Sequence, residues 1–226
     1  MRYPVVELRQ YTLRPGQRDV LIDLFDREFV ESQEAEGMAI VGQFRDLDDP
    51  DRFVWIRGFD DMPSRARALA GFYGGPAWKA NSAAANATMI DSDNVLLLRP
   101  VNERSGFPAP AAGRPAAGST QAWPSRVLVT IYQRDQPFDQ AFADFFDRQV
   151  RPALTEAGAT PLACLQTEHA ENTFPALPVR TGENVFVWLA RFPSQAHLDD
   201  HLRQLGNSAG APRQLRLAPT ARSLLR

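Results

Sequence analysis

The sequence predicts an α+β fold assembled from two copies of one β-α-β-β-α-β unit. Three observations predict it. A strand-like FVW run occurs twice, at residues 53–55 and 186–188. Each run sits inside the same succession of apolar patterns, and a Pro/Ala/Gly-rich stretch, residues 102–124, separates the two. The order of elements suggests a ferredoxin-like arrangement, an antiparallel four-stranded sheet with two helices on one face and its first and third strands central. The expected units are residues 1–101 and 125–226, with 102–124 as an extended linker.

In the first unit, VVELRQYTL alternates so that Val6, Leu8 and Gln10 share one face and Glu7, Arg9 and Tyr11 the other. PGQRDVLIDLFDREFVESQEAEG follows as a helix with an apolar stripe of Val20, Leu21, Leu24, Phe25 and Phe29. MAIVGQFRDL and DRFVWIRGF read as strands. In the second of these Phe53, Trp55 and Phe59 oppose Val54 and Ile56, so both faces are apolar and both need cover. Pro63 and Ser64 open another helix, Gly74 and Gly75 break it, and Pro76 suits the first position of a new segment. DNVLLLRPV closes the unit.

The second unit repeats the pattern. RVLVTIYQR is followed by a helix whose stripe is Phe138, Phe142, Phe145, Phe146 and Val150, with Pro152 expected to kink or shorten it. TPLACLQTEH and NVFVWLARF are strands, Pro193 and Ser194 open a helix, and TARSLLR is expected as the final strand. Helices cover one face of each sheet only. The uncovered faces are therefore expected to pack on each other, giving a two-sheet barrel within one chain.

The 226 residues are 44% hydrophobic and 23% charged, enough apolar material for a real core. A net charge of −2 gives no field that would gather nucleic acid or an anionic membrane. The single cysteine, Cys164, rules out an intramolecular disulfide and lies among apolar neighbours, which suits a small buried side chain and a reducing compartment. No stretch approaches the roughly 20 apolar residues of a membrane span, and the N-terminal sequence lacks a signal-peptide pattern. A cytoplasmic location is expected.

Charges on the first strand demand an explanation, because that strand should be central and beside the strand carrying Arg57. Two readings stand: a structural cross-strand network of Glu7 with Arg9 or Arg57, or a polar patch lining a ligand cavity.

The stretches VELRQYTLRPGQ, FVWIRGF and FYGGPAWKANSAAANATMIDSDNVLLLRP resemble the NIPSNAP family of the dimeric α/β barrel superfamily. The matching positions are Glu7, Arg9, Tyr11, Pro15, Gly16, Trp55, Pro76 and Trp78. The second half keeps Tyr132 and Trp188 but has Thr130 where the ELR motif offers a charge, and no counterpart of Trp78. The first half is therefore the expected seat of any site. Relatives in the superfamily include cofactor-free monooxygenases, cyclases, isomerases and haem proteins. The resemblance thus implies a cavity between sheet and helices but does not choose a reaction.

The expected function is binding of a small, partly aromatic molecule, with its oxidation or rearrangement without metal or cofactor. Arg9 and Arg57 would hold an anionic or enolate oxygen, and Tyr11 or Tyr73 would donate or accept a proton. Glu7, Trp55 and Trp78 would complete the binding surface. From another class comes a non-catalytic dimerising or scaffold module built on a buried ion network. A third reading takes haem or a divalent metal through His197 and His201, four apart in HLDDH, with His169. The spacing allows it, but the helix places the pair toward solvent, about 100° from its leucine stripe. No P-loop or G-x-G-x-x-G motif is present.

Overall fold

In the computed structural model, which describes residues 3–205 and 212–226, eight strands close into one antiparallel barrel. The first half supplies β1 (Val5–Leu13), β2 (Ala39–Asp46), β3 (Arg52–Phe59), the short β4 (Met89–Asp91) and β5 (Val95–Pro100). The second half supplies β6 (Arg126–Arg134), β7 (Pro161–Thr167), β8 (Asn184–Phe192) and β9 (Arg213–Pro219). Within the halves the strands run β5-β1-β3-β2 and β9-β6-β8-β7, and β2–β9 and β5–β7 pairing joins them into a ring. β4 extends one end of β1 outside that ring. Closure leaves the barrel strands no open edge.

Strand alternation decides which residues go inside. Val6, Leu8, Val54 and Ile56 meet Val127, Val129, Val187 and Leu189 in one apolar core within the barrel. The opposite faces of the same strands look outward and are covered by helices. Over the first half lie α1 (Arg18–Leu24), α2 (Val30–Ala35), α3 (Met62–Gly74) and α4 (Pro76–Thr88). Over the second lie α5 (Gln140–Phe145), α6 (Arg151–Glu156) and α7 (Gln195–Leu205). Phe53, Trp55 and Phe59 thus pack under the first set, and Phe186, Trp188 and Phe192 under the second.

Both leading helices pass through a π-helical turn, Phe25–Phe29 between α1 and α2 and Phe146–Val150 between α5 and α6. Pro152 lies in the first turn of α6, immediately after the second such turn, and the helix runs on through it. The helices α3 and α4 meet at Gly75, with Pro76 opening α4 as its missing N–H allows. Ahead of α1, the Pro15-Gly16 pair makes a tight turn in which Gln17 N–H donates to the Arg14 carbonyl at 2.9 Å. Gly16 takes φ +76°, the left-handed conformation that glycine adopts without a steric cost.

Two segments differ from expectation. The last strand is RQLRLAP, not TARSLLR: Leu215 and Leu217 alternate into the barrel core, while the adjacent Leu224 and Leu225 have no strand periodicity. The tail is instead pinned by polar groups, with Arg222 Nε donating to the Pro115 carbonyl at 3.0 Å and Arg114 Nη1 donating to the Arg222 carbonyl at 2.7 Å. The stretch 102–124 has neither helix nor strand, yet it is anchored: Phe107 is buried against the barrel core and Trp123 Nε1 donates to the Ala221 carbonyl at 3.1 Å. Among the described residues no helix is long and apolar enough to cross a membrane.

Candidate functional site

The charged face of β1 looks out of the barrel and under the helices. In the β1–β3 ladder Glu7 stands opposite Arg57, Arg9 opposite Trp55 and Tyr11 opposite Phe53. Glu7 is a hub. Its Oε2 accepts from Arg9 Nη1 at 2.6 Å and from Arg57 Nε at 2.7 Å, and its Oε1 accepts from Arg65 Nε at 2.6 Å. Glu7, Arg9, Arg57 and Arg65 are each 0% exposed. Burial alone would push the Glu7 carboxyl up, but Arg57, then Arg9 and Arg65, outweigh it and hold it well below the usual carboxylate range.

One carboxylate among three guanidiniums leaves a net charge of about +2 in a desolvated space. The outer contacts are all neutral. Arg57 Nη1 donates to Gln33 Oε1 at 3.0 Å, Arg9 Nε to the Tyr11 hydroxyl at 2.9 Å, and Arg65 Nη1 to Asn172 Oδ1 at 2.9 Å and Thr173 Oγ1 at 3.3 Å. The Nη2 atoms of Arg9, Arg57 and Arg65 and the indole Nε1 of Trp55 are buried without a hydrogen-bond partner among the described residues.

Next to this cluster lies an aromatic cavity of about 100 Å³ between the sheet and the helices. Tyr11 and Trp55 supply its sheet side, and the π turn supplies Phe25 and Phe29. Tyr73 and Trp78 come from either side of the Gly75 break, and Leu177, in the β7–β8 connection, reaches over from the second half. The rings meet edge to face: Tyr11–Trp55 centroids are 5.9 Å apart and Tyr73–Trp78 4.9 Å. The Arg9 guanidinium stacks on the Tyr11 and Trp55 rings at 5.3 and 5.4 Å, and Arg57 on Trp55 at 5.0 Å.

Of the residues singled out in the sequence, Tyr11, Trp55, Tyr73 and Trp78 line the cavity together, whereas Glu7, Arg9 and Arg57 sit one layer away. Tyr11 connects the two layers. Its oxygen accepts from Arg9, and its own proton has no acceptor among the described residues. Burial raises the Tyr11 pKa against the opposing pull of Arg9, so the phenol keeps that proton at neutral pH.

Sequence reading missed Arg65, Gln33 and Asn172. Arg65 and Gln33 carried a legible signal, a polar residue on a buried helix stripe with Ala68, Leu69 and Phe72 or with Phe29 and Val30. Asn172 carried none, because its role arises from a long-range contact.

The histidines occupy unlike surroundings. His197 bonds Ser194 Oγ at 2.8 Å at an exposed position. His201 is buried, contrary to its expected place near solvent. Its Nδ1 lies 2.8 Å from the Ala157 carbonyl and its ring packs 5.2 Å from that of Phe192, so a hydrogen bond and an aromatic contact turn it inward. His169 is exposed. Among the described residues no group of three or more His, Cys, Asp or Glu is arranged to hold a metal ion. Burial pushes the Cys164 thiol up to about 11, so it stays protonated at neutral pH.

The second half has the same ladder without the charges. Leu128 stands opposite Ala190, Thr130 opposite Trp188 and Tyr132 opposite Phe186, and Leu198 follows Phe192 by the six residues that separate Arg65 from Phe59. Leu128, Thr130, Ala190 and Leu198 are all buried. The cavity here, lined by Tyr132, Trp188 and Leu202 among others, measures about 580 Å³.

Fold and site together define an α+β protein built on a closed eight-stranded antiparallel barrel, with an aromatic pocket outside the barrel wall. Residues 6–103 match the sequence profile of the NIPSNAP family, and the matched stretch contains Glu7, Arg9, Arg57, Arg65 and the helices over them. No curated protein matches the sequence.

Solved structures resemble the chain in fold. A candidate monooxygenase from Fusobacterium nucleatum shares 9% identity, with 97% of this chain and 93% of that one covered at a TM-score of 0.58. One from Lactobacillus acidophilus shares 15%, with 96% and 94% covered at 0.53. A NIPSNAP family protein from Agrobacterium tumefaciens shares 20% and covers 44% of this chain and 94% of its own, at a TM-score of 0.41.

Proposed function

We propose that the chain binds a small, partly aromatic molecule in the first-half cavity and rearranges it by proton transfer, without a metal. The observation that carries this reading is the Tyr11 hydroxyl. Its oxygen is fixed by Arg9 Nε at 2.9 Å and its proton is free, in a pocket walled by Trp55 and Trp78. A ligand carbonyl at that point receives a hydrogen bond that strengthens as negative charge builds on its oxygen, and the guanidiniums one layer behind stabilise the same charge. Tyr73 offers a second hydroxyl across the cavity. Oxygenation by molecular oxygen, with the enolised ligand as electron source, is a second reading. It is favoured by the two full-length fold neighbours described as candidate monooxygenases.

The two halves, in this reading, are copies of one ferredoxin-like unit, of which the first kept the polar site. The matching strand orders and ladder registers support the duplication.

Native mass spectrometry of the purified protein tests binding, before and after incubation with a panel of small aryl ketones. Retention of one ligand per chain, weakened about tenfold by Tyr11→Phe and abolished by Trp78→Ala, is the expected result. Absence of any adduct, or retention unaffected by both substitutions, would remove the proposal.

A further inference from the structure

We propose that the ligand of this cavity is an organic carboxylate, and that Arg65 receives its anionic group once the connection spanning residues 168–183 lifts Asn172 and Thr173 away from it. The inference deepens the small-molecule reading above and rests on it.

Charge is the first argument. Three guanidiniums share one carboxylate with no solvent access, and the interactions that shift Arg65 involve no acid other than Glu7. Burying an uncompensated charge is expensive, and a protein that needed only packing here had a cheaper solution at hand. It uses that solution in its second half, where the same registers hold Leu128, Thr130, Ala190 and Leu198. An anionic ligand supplies the missing counter-charge.

Access is the second. Arg9 and Arg57 donate only to side chains inside the cluster or packed on it, whereas Arg65 Nη1 reaches Asn172 and the exposed Thr173. Both are neutral acceptors. A carboxylate in their place makes charge-assisted bonds roughly twice as strong, in a planar fork that matches the guanidinium. Arg65 is therefore where an anion arriving from solvent meets the cluster.

Size is the third. The cavity, about 100 Å³, is smaller than the roughly 150 Å³ cavity known to admit benzene, so it encloses an aromatic ring only if a wall gives way. One wall is Leu177, on the same connection as Asn172 and Thr173, and Phe174 between them stacks on Tyr73 at 5.9 Å. One displacement thus enlarges the cavity and frees Arg65. A ring with a carboxylate uses both changes.

The test is isothermal titration of the full chain at fixed low ionic strength with benzoate and with benzamide, its neutral analogue of nearly equal shape. Benzoate is expected to bind at least tenfold more tightly, and Arg65→Leu, which installs the residue found at the matching position of the second half, should bring the ratio close to one. If Arg65→Leu does not fold by circular dichroism, Asn172→Ala replaces it. Loss of the competing acceptor should then raise the benzoate-to-benzamide ratio, and an unchanged ratio would count against the proposal. Equal affinities in the unmodified protein, or a preference that survives Arg65→Leu, would overturn the carboxylate assignment while leaving the cavity reading intact. Failure of both compounds to bind would overturn both.

Discussion

The two halves of the barrel place the same strand pair under the same kind of helical cover and fill it differently. Under the first helices the ladder carries Glu7, Arg9 and Arg57, joined from α3 by Arg65. Under the second, the corresponding positions hold Leu128, Thr130, Ala190 and Leu198, all as deeply buried. Tyr11 and Tyr132, and Trp55 and Trp188, are common to both. The barrel therefore does not need charge at these registers in order to close. What the first half maintains is a desolvated cationic cluster beside an aromatic cavity. That difference separates the requirements of the fold from those of the site.

Removing Glu7 should have the largest effect. Glu7→Gln leaves three buried guanidiniums without a counter-charge and should cost about 3–5 kcal/mol in urea unfolding. Its ionised form is favoured by folding, so its stabilising contribution should be complete above the ordinary carboxylate range and be lost progressively as pH falls from that range toward its depressed pKa.

The tyrosine pair should then differ between halves. Tyr11→Phe strands the buried Arg9 Nε and should cost about 1–3 kcal/mol. Tyr132→Phe removes a half-buried hydroxyl and should stay within about 0.5 kcal/mol. Equal costs in the same denaturation assay would blur the distinction.

The smaller effect concerns the π turns, where Asp26 and Asp147 occupy equivalent places. Burial, against the pull of Arg222, pushes the Asp26 carboxyl up to about 6. Between about pH 4 and 6 the folded chain therefore holds a proton that the unfolded chain has released, and stability falls as pH rises through that window. Asp26→Asn should flatten this slope and stabilise the protein by about 1–2 kcal/mol at pH 7. Asp147 pairs instead with Arg151 at 2.9 Å at a more exposed position, and Asp147→Asn should cost at most about 1 kcal/mol.

Much of the fold was readable because strand alternation is a local signal. The FVW runs marked β3 and β8, and the opposed faces of β1 correctly separated Val6 and Leu8, inside the barrel, from Glu7, Arg9 and Tyr11, outside it. The final strand was misplaced because two short Arg/Leu-rich runs compete at the end of the chain, and pairing with β6 and β2 selects the one with alternating leucines.

The cavity walls Tyr11, Trp55, Tyr73 and Trp78 were legible as aromatics at strand and helix-break positions. Of the two candidate explanations of the charges, the structure shows the network: the arginines bind Glu7, and the aromatic rings they stack on line a neighbouring cavity. Arg65 was visible only as an arginine on an apolar stripe. The reach of Asn172, Thr173 and Leu177 across from the second half depends on barrel closure, which no local pattern encodes.

The central claim is that the buried charges serve a ligand and not the barrel, and one measurement addresses it directly. A variant carrying Glu7→Leu, Arg9→Met, Arg57→Met and Arg65→Leu replaces the whole cluster with apolar side chains of comparable length, and its stability can be compared with the parent by urea unfolding. The account predicts a barrel equal in stability or more stable by about 1–4 kcal/mol, as replacement of complete buried ion clusters by packed apolar groups allows. A folded variant less stable by about 3 kcal/mol or more would contradict it and make the cluster part of what holds the first half together.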